Sequence, residues 1–463
     1  MTTYQEFLRE KLDYSNSTGF DIELEQLHLA LFPFQRHLTQ WALKKGCAAI
    51  FADCGMGKTL MQLVWADHIV QRTNKPVLIL APLAVSTQTM HEAHKFEIDA
   101  RVVTHNEDYT GIQITNYEKL HHFEARDYAG VVCDESSILK NFDGKRRRQI
   151  TEFMRVIPYR LLCTATAAPN DWMELGTSSE ALGYLGHVDM LTRFFTNKGS
   201  TFYRRDSLQG KQWRLKGHAR TPFWQWVASW ARALRRPSDF GFDDDGFILP
   251  PLKETHTVVK ATRPTPGMLF DMPAANFQEE REAIRRTIEE RCEEAAARVR
   301  QNGHSMVWCH LNDESALLHK LIPGSVEIKG SDSDERKEEA ANWFVYGKEE
   351  KRVLISKPTI FGFGLNFQHC HHMTYFPTHS YEQYYQATRR LWRFGQEKPV
   401  TVDLIYTDSG KRIIRNLERK SKAADKMFDE LVKHMNEAMH IRRDSYQTGE
   451  VEIPQWMRNS NGK

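Results

Sequence analysis

The sequence predicts an α/β fold of two tandem parallel-sheet domains with a helical insertion between them. Three observations predict it. Short apolar runs of strand type alternate with helix-periodic segments in two separate blocks, about 31–170 and 251–445. That alternation is the signature of parallel sheets covered by helices. A glycine-bearing turn sits where the first strong strand passes into a helix. Between the blocks, 171–250 turns basic and aromatic, with tryptophans at near-helical spacing.

Residues 1–30 read as a mixed, amphipathic lead-in. Gln35 follows at the start of a helical run, and its amide can both donate and accept, as the edge of adenine requires. A surface glutamine is the plainer reading. Ala48-Ala49-Ile50-Phe51 then reads as a buried strand, and Leu60 to Ala66 as a helix. The segment between them is Ala52-Asp53-Cys54-Gly55-Met56-Gly57-Lys58-Thr59. Strand, glycine turn, then Lys-Thr at a helix start is a phosphate-cradling loop. Gly55 and Gly57 let backbone N–H groups converge on phosphate oxygens, and the helix start adds partial positive charge. Lys58 would reach the β- and γ-phosphates of ATP, and the Thr59 hydroxyl would hold Mg²⁺. Ala52 stands where the pattern usually begins with Gly, a position that mainly needs a small residue.

Further strands are expected at 76–82, 111–117 and 128–133, the last ending in Asp134-Glu135-Ser136-Ser137. Ligands of such sheets sit at the carboxyl ends of the strands. There Asp134 can hold Mg²⁺, and Glu135 can orient and deprotonate an attacking water. The next strand, from Tyr159, ends in Thr164-Ala165-Thr166. These hydroxyls either relay between nucleotide and a second ligand or cap a turn.

In 171–250, Phe202, Tyr203, Arg204, Arg205, Lys211, Arg214 and Lys216 precede Trp224, Trp226 and Trp230, then Arg232, Arg235 and Arg236. The tryptophans read as a helical core. The cations face either nucleic acid or solvent. The second block has helical periodicity from Ile284 to Val299, then strands near 305–309, 326–328, 353–355, 373–376 and 400–406. A long amphipathic helix covers 411–439, and 446–463 is a polar tail. Gly362-Phe363-Gly364-Leu365-Asn366 forms a glycine turn. Gln386, Arg390 and Arg393 share a helix. Arginines three apart project from one face. Together they can clamp a γ-phosphate as charge spreads in the transition state. Arg389 lies about 100° round the helix and reads as solvated or structural.

The balance of 63 basic against 60 acidic residues, net +3, excludes a basic coating protein. Nucleic-acid contact must come from local patches. Seven scattered cysteines without a Cys-x-x-Cys pair read as buried thiols of a reducing cytoplasm. No apolar run reaches about 18 residues, so no membrane span is expected.

The ordered set resembles superfamily two helicase-like ATPases, and within them the Swi/Snf-type double-stranded DNA translocases. The matching elements are Gln35, Ala52 to Thr59, Leu80-Ala81-Pro82-Leu83, Asp134 to Ser137 with Leu139-Lys140-Asn141, Thr164-Ala165-Thr166, Gly364-Leu365-Asn366, and Gln386 to Gln396. The Arg393-Phe394-Gly395-Gln396 ending points to that branch. The resemblance spans roughly 30–410 and implies two RecA-like lobes. It also implies ATP and Mg²⁺ as ligands, and DNA, preferentially duplex, as partner. Catalytic roles fall to Lys58, Asp134, Glu135, Gln386, Arg390 and Arg393. Nucleotide contacts fall to Gln35, Gly55, Met56, Gly57, Lys58 and Thr59. Thr164, Thr166, Gly364 and Asn366 would couple hydrolysis to the DNA side. Ser136-Ser137 departs from the Ala-His or Gly-His usual there, which bears on coupling more than on hydrolysis. The compact chain looks like a bacterial or bacteriophage member, acting as a monomer in the cytoplasm. A strand-separating DNA or RNA helicase, an ATP-switched regulatory binder and a protein trigger stay open.

Overall fold

The computed structural model of the chain describes residues 18–140, 144–168, 171–197, 213–262, 276–361 and 366–444. The first block supplies β1 (Cys47–Ala52), β2 (Val77–Ala81), β3 (Ala100–Val102), β4 (Ile112–Asn116), β5 (Gly130–Asp134) and β6 (Tyr159–Cys163). Strands β1, β2, β4 and β5 are buried along their whole length, as a parallel sheet covered on both faces demands. Two short strands, β7 (Phe195–Asn197) and β8 (Trp213–Leu215), pair antiparallel outside that sheet. β9 (Ala231–Leu234) returns to it. The first sheet runs β3-β4-β2-β5-β6-β1-β9, all parallel. In this order β5, β6 and β1 are neighbours, with Cys163 in register with both Ile50 and Asp134. The segments leaving those three strands therefore emerge side by side.

The described residues of 171–250 form helices Leu175–Leu182, His187–Phe194 and Arg220–Trp230 together with β7, β8 and β9, so the stretch expected as a helical insertion is mixed. It is built into lobe one. Trp224, Trp226 and Trp230 are buried in one core with Phe51, Leu78 and Val131 of the sheet. Among the described residues of this stretch, several cations are paired within the chain, while Arg214 is exposed. Arg232 is buried and donates to Ala231 O at 3.0 Å. Arg220 pairs with Glu430, and Arg235 with Asp425 at 3.0 Å and Asp429 at 3.8 Å. Arg236 lies 3.8 Å from Asp239. Phe202, Tyr203, Arg204, Arg205 and Lys211 lie outside the described residues, as do Gly364 and the tail 446–463.

Lobe two contains β10 (Leu252–Val259), β11 (Ser305–Trp308), β12 (Val326–Glu327), β13 (Val353–Ser356), β14 (His372–Tyr375) and β15 (Val400–Thr407). They form a second parallel sheet, β10-β15-β14-β11-β13-β12. The protein is thus two tandem RecA-like α/β lobes. The helical run expected from Ile284 to Val299 is two helices, Phe277–Arg286 and Ile288–Arg300. Thr287 breaks it, with its hydroxyl donating back to Ala283 O at 2.8 Å. A polar chain crosses the second sheet, where Ser305 Oγ lies 2.8 Å from His372 Nδ1 and His372 Nε2 lies 2.9 Å from Asp403 Oδ2.

The C-terminal helix Lys411–Asp444 belongs to both lobes. Ile413 and Leu417 pack with Tyr381 of lobe two, whereas Met427, Phe428 and Leu431 enter the lobe-one core. All seven cysteines are free and buried. No helix among the described residues is long and apolar enough to cross a membrane.

Candidate nucleotide site between the lobes

The glycine loop turns on two residues with positive φ, Gly55 at +89° and Gly57 at +75°. Neither tolerates a side chain. A Cβ on Gly57 would stand 2.2 Å from Gln35 Nε2, and one on Gly55 would stand 2.9 Å from Phe394 N of lobe two. Gln35 ties its helix to the loop. Its Nε2 donates to Met56 O at 2.9 Å, and its Oε1 accepts from Phe32 N at 2.9 Å. A primary amide has a second hydrogen and a second lone pair, so both ends keep capacity for a base edge. Met56 is buried beneath the loop. The helix Lys58–Thr73 starts directly at Lys58, with Thr59 in its first turn. Lys58 Nζ donates to Ala52 O at 2.9 Å and Asp53 O at 3.3 Å, folding the ammonium over its own loop.

The carboxyl end of β5 lies next. Asp134 Oδ1 accepts from Gln62 Nε2 at 2.7 Å. Burial, reinforced by the charge of Glu135, pushes its carboxyl up to about 6. Glu135 adopts φ +50°, a left-handed conformation that costs a side-chain-bearing residue strain of about 1–3 kcal/mol. Thr164 Oγ1 donates to Glu135 Oε2 at 3.2 Å, and Thr166 N donates to Thr164 Oγ1 at 3.0 Å. The neighbouring exits of β5 and β6 thus meet through hydrogen bonds.

Lobe two presents the arginine helix Tyr381–Leu391 and the turn after it. Gln386 is buried with neither amide atom bonded to protein. Arg390 is buried, its Nε donating to Gln386 O at 3.3 Å. Arg393 donates through Nη1 to Asn366 Oδ1. Burial lowers Arg393 to about 10, and the adjacent Arg390 adds to the shift. Of the two sequence readings of Arg389, solvated or structural, the structural one holds. Arg389 is buried and ion-paired across the lobes with Asp53 of the glycine loop. Lys140, just past Asp134-Glu135, pairs with Glu382 of the same helix.

The donor set fits a magnesium nucleotide. Lobe one crowds the carboxylates of Asp134 and Glu135, lobe two crowds the guanidiniums of Arg390 and Arg393, and a ligand of opposite charge relieves such a pair. The Thr59 hydroxyl and Asp134 carboxylate are hard oxygen donors of the kind Mg²⁺ takes alongside substrate phosphates. No cage of three or more His, Cys, Asp or Glu side chains occurs among the described residues.

A second cleft of about 1180 Å³ opens between the lobes. Lys119, Arg146 and Lys337 line it beside Glu118, Glu338 and Glu382, with Arg146 paired to Glu118 at 2.7 Å, and Glu135 and Asn366 reach its wall. No sequence signal marked this cleft, because its walls come from segments scattered through both lobes.

No family model matches this sequence, and no curated protein matches it. Among solved structures it is similar to one described as the Sulfolobus solfataricus SWI2/SNF2 ATPase core in complex with dsDNA. Identity is 16%, covering 90% of this chain and 96% of that chain, with a TM-score of 0.40. A likeness of that size adds nothing to the functional argument, which rests on the residues above.

Proposed function

We propose that this chain is a DNA-dependent ATPase of the helicase-like type, hydrolysing ATP between its two lobes to translocate on or remodel duplex DNA. The observation that carries the reading is the seating of the arginine helix of lobe two on the glycine loop of lobe one, where Arg389 pairs with Asp53 and Phe394 abuts Gly55. A bound Mg²⁺, held by Thr59 and Asp134, supplies positive charge to the phosphates. Lys58 leaves its own loop carbonyls to hold the β- and γ-phosphates, and backbone N–H groups from Gly55 to Lys58 cradle them. Gln35 reads the base. Glu135 positions water and takes its proton. Arg390 and Arg393 meet the charge that develops on the transferring phosphoryl, a contribution worth about 10³–10⁵ in rate. Gln386 offers its amide at the same interface.

The coupling route follows from two contacts. Thr164 holds Glu135, and Asn366 holds Arg393, while Glu135 and Asn366 also line the large cleft. Thr166 extends that route. Duplex DNA lies along the cleft with its phosphates against Lys119, Arg146 and Lys337. Lobe closure and opening then move it.

Steady-state hydrolysis with no nucleic acid, duplex DNA, single-stranded DNA or RNA tests the reading, with Glu135→Gln as the blank. Duplex DNA alone stimulates strongly on this account. Stimulation by single strands or RNA instead would move the activity to strand separation. A rate above the blank that no nucleic acid changes would assign the trigger to a protein.

A further inference from the structure

Asp53 stands at the start of the glycine loop, and its backbone and side chain answer to different partners. Its N–H donates to Leu234 O at 2.8 Å in lobe one, and its C=O accepts from Lys58 at 3.3 Å. The carboxylate reaches lobe two. Oδ1 accepts from Tyr385 Oη as well as from Cys54 N at 2.6 Å, and Oδ2 pairs with Arg389. Arg389 is held independently. Its guanidinium lies 4.4 Å from the Trp392 ring and 5.3 Å from the Tyr385 ring, and Nη1 donates to Trp392 O at 3.4 Å. The side chains of the pair are only 10% and 9% exposed. Burial opposes the charge on Arg389, but Asp53 and Tyr385 outweigh it and raise its pKa.

Removing one partner of a buried ion pair leaves the other charge uncompensated, a far larger penalty than removing both. The penalty here falls only when the lobes close, because separation returns each charge to water. We propose that Arg389, with Tyr385, is a positioning residue that seats Asp53 and so ties the glycine loop to lobe closure. This rests on the reading of that loop as the ATP site. Arg389 acts through Asp53, the residue whose carbonyl holds Lys58. Fixing Asp53 from lobe two keeps the loop in place while Lys58 swings from carbonyl to phosphate.

The test is a double-mutant cycle on the full chain, Arg389→Gln, Asp53→Asn and the two combined, with Arg389→Ala as a further single variant. Each single variant should keep ATP affinity near wild type while kcat falls by about tenfold or more, the scale of an uncompensated buried charge. The double variant should turn over faster than the product of the two losses allows. Lobe separation is read directly by spin labels at Arg126→Cys and Lys348→Cys, since both positions are exposed and every native cysteine is buried. Without nucleotide, Arg389→Ala should lengthen and broaden that distance. Tyr385→Phe should shift it in the same direction by less, and serves if Arg389→Ala does not fold. Wild-type kcat in Arg389→Ala, multiplicative losses in the double variant, or an unchanged distance distribution would overturn the proposal. A shifted distance in a chain that never hydrolyses ATP would support the tie and sink the ATPase reading.

Discussion

At the residue scale, the candidate site is a set of charges placed where they are uncomfortable. Asp134 titrates near 6 because burial and Glu135 disfavour its anion, and Arg393 falls to about 10 because burial and Arg390 disfavour its cation. Perturbed titratable groups gathered at one interface mark a candidate functional site. The glycine loop and the Asp-Glu pair were legible because their chemistry is local, with roles set by spacing within a few residues. The partner of Arg389 was not legible. Asp53 lies more than three hundred residues away, and only lobe packing brings the two together. Elsewhere buried charge serves stability. Hydrogen bonds from His372 and Thr255 hold the Asp403 carboxyl below its usual range, although burial alone would raise it. A depressed acid contributes stability above its unfolded pKa and loses it as pH falls through the folded value. Asp403→Ala should therefore cost about 1–3 kcal/mol near neutral pH, leaving the His372 and Thr255 donors unsatisfied. The difference from wild type should close as the pH drops below the usual carboxylate range. Urea unfolding across pH checks this, and a gap unchanged at low pH would refute it.

At the element scale, strong strands and helices were legible from burial-driven patterning, and short ones were not. β9 is Ala-Arg-Ala-Leu directly after a helix, a sequence with weak strand preference that pairing with β1 decides. The break at Thr287 was hidden because Ile284 and Ile288 keep helical spacing across it. The C-terminal helix was legible as an amphipathic helix, but its two destinations were not. Its first half packs on lobe two, and Phe428 enters the lobe-one core with the Arg235 guanidinium 4.6 Å from its ring. Phe428→Ala should cost about 3–5 kcal/mol of local packing. Hydrogen exchange should then speed up in 427–435 while the lobe-two strands keep their protection. Unchanged exchange there would show that the helix does not depend on lobe one.

At the scale of the whole molecule, the two sheets place the glycine loop, the Asp-Glu pair and the arginine helix on facing edges. Gly55 is packed so closely on Phe394 that one lobe completes the other. The large cleft carries Glu135 and Asn366 on its walls, so on the proposed account ATP hydrolysis and DNA contact would share side chains. Phosphate contacts along that cleft would make DNA affinity fall by orders of magnitude between about 50 and 200 mM salt. A flat response would contradict a backbone-tracking motor.

The most direct measurement compares ATP binding and turnover in Arg390→Ala, with Lys58→Ala beside it. If hydrolysis needs both lobes, Arg390→Ala binds ATP nearly as wild type and ceases to turn over, while Lys58→Ala loses both. Hydrolysis at the wild-type rate by Arg390→Ala would contradict a site completed by the second lobe.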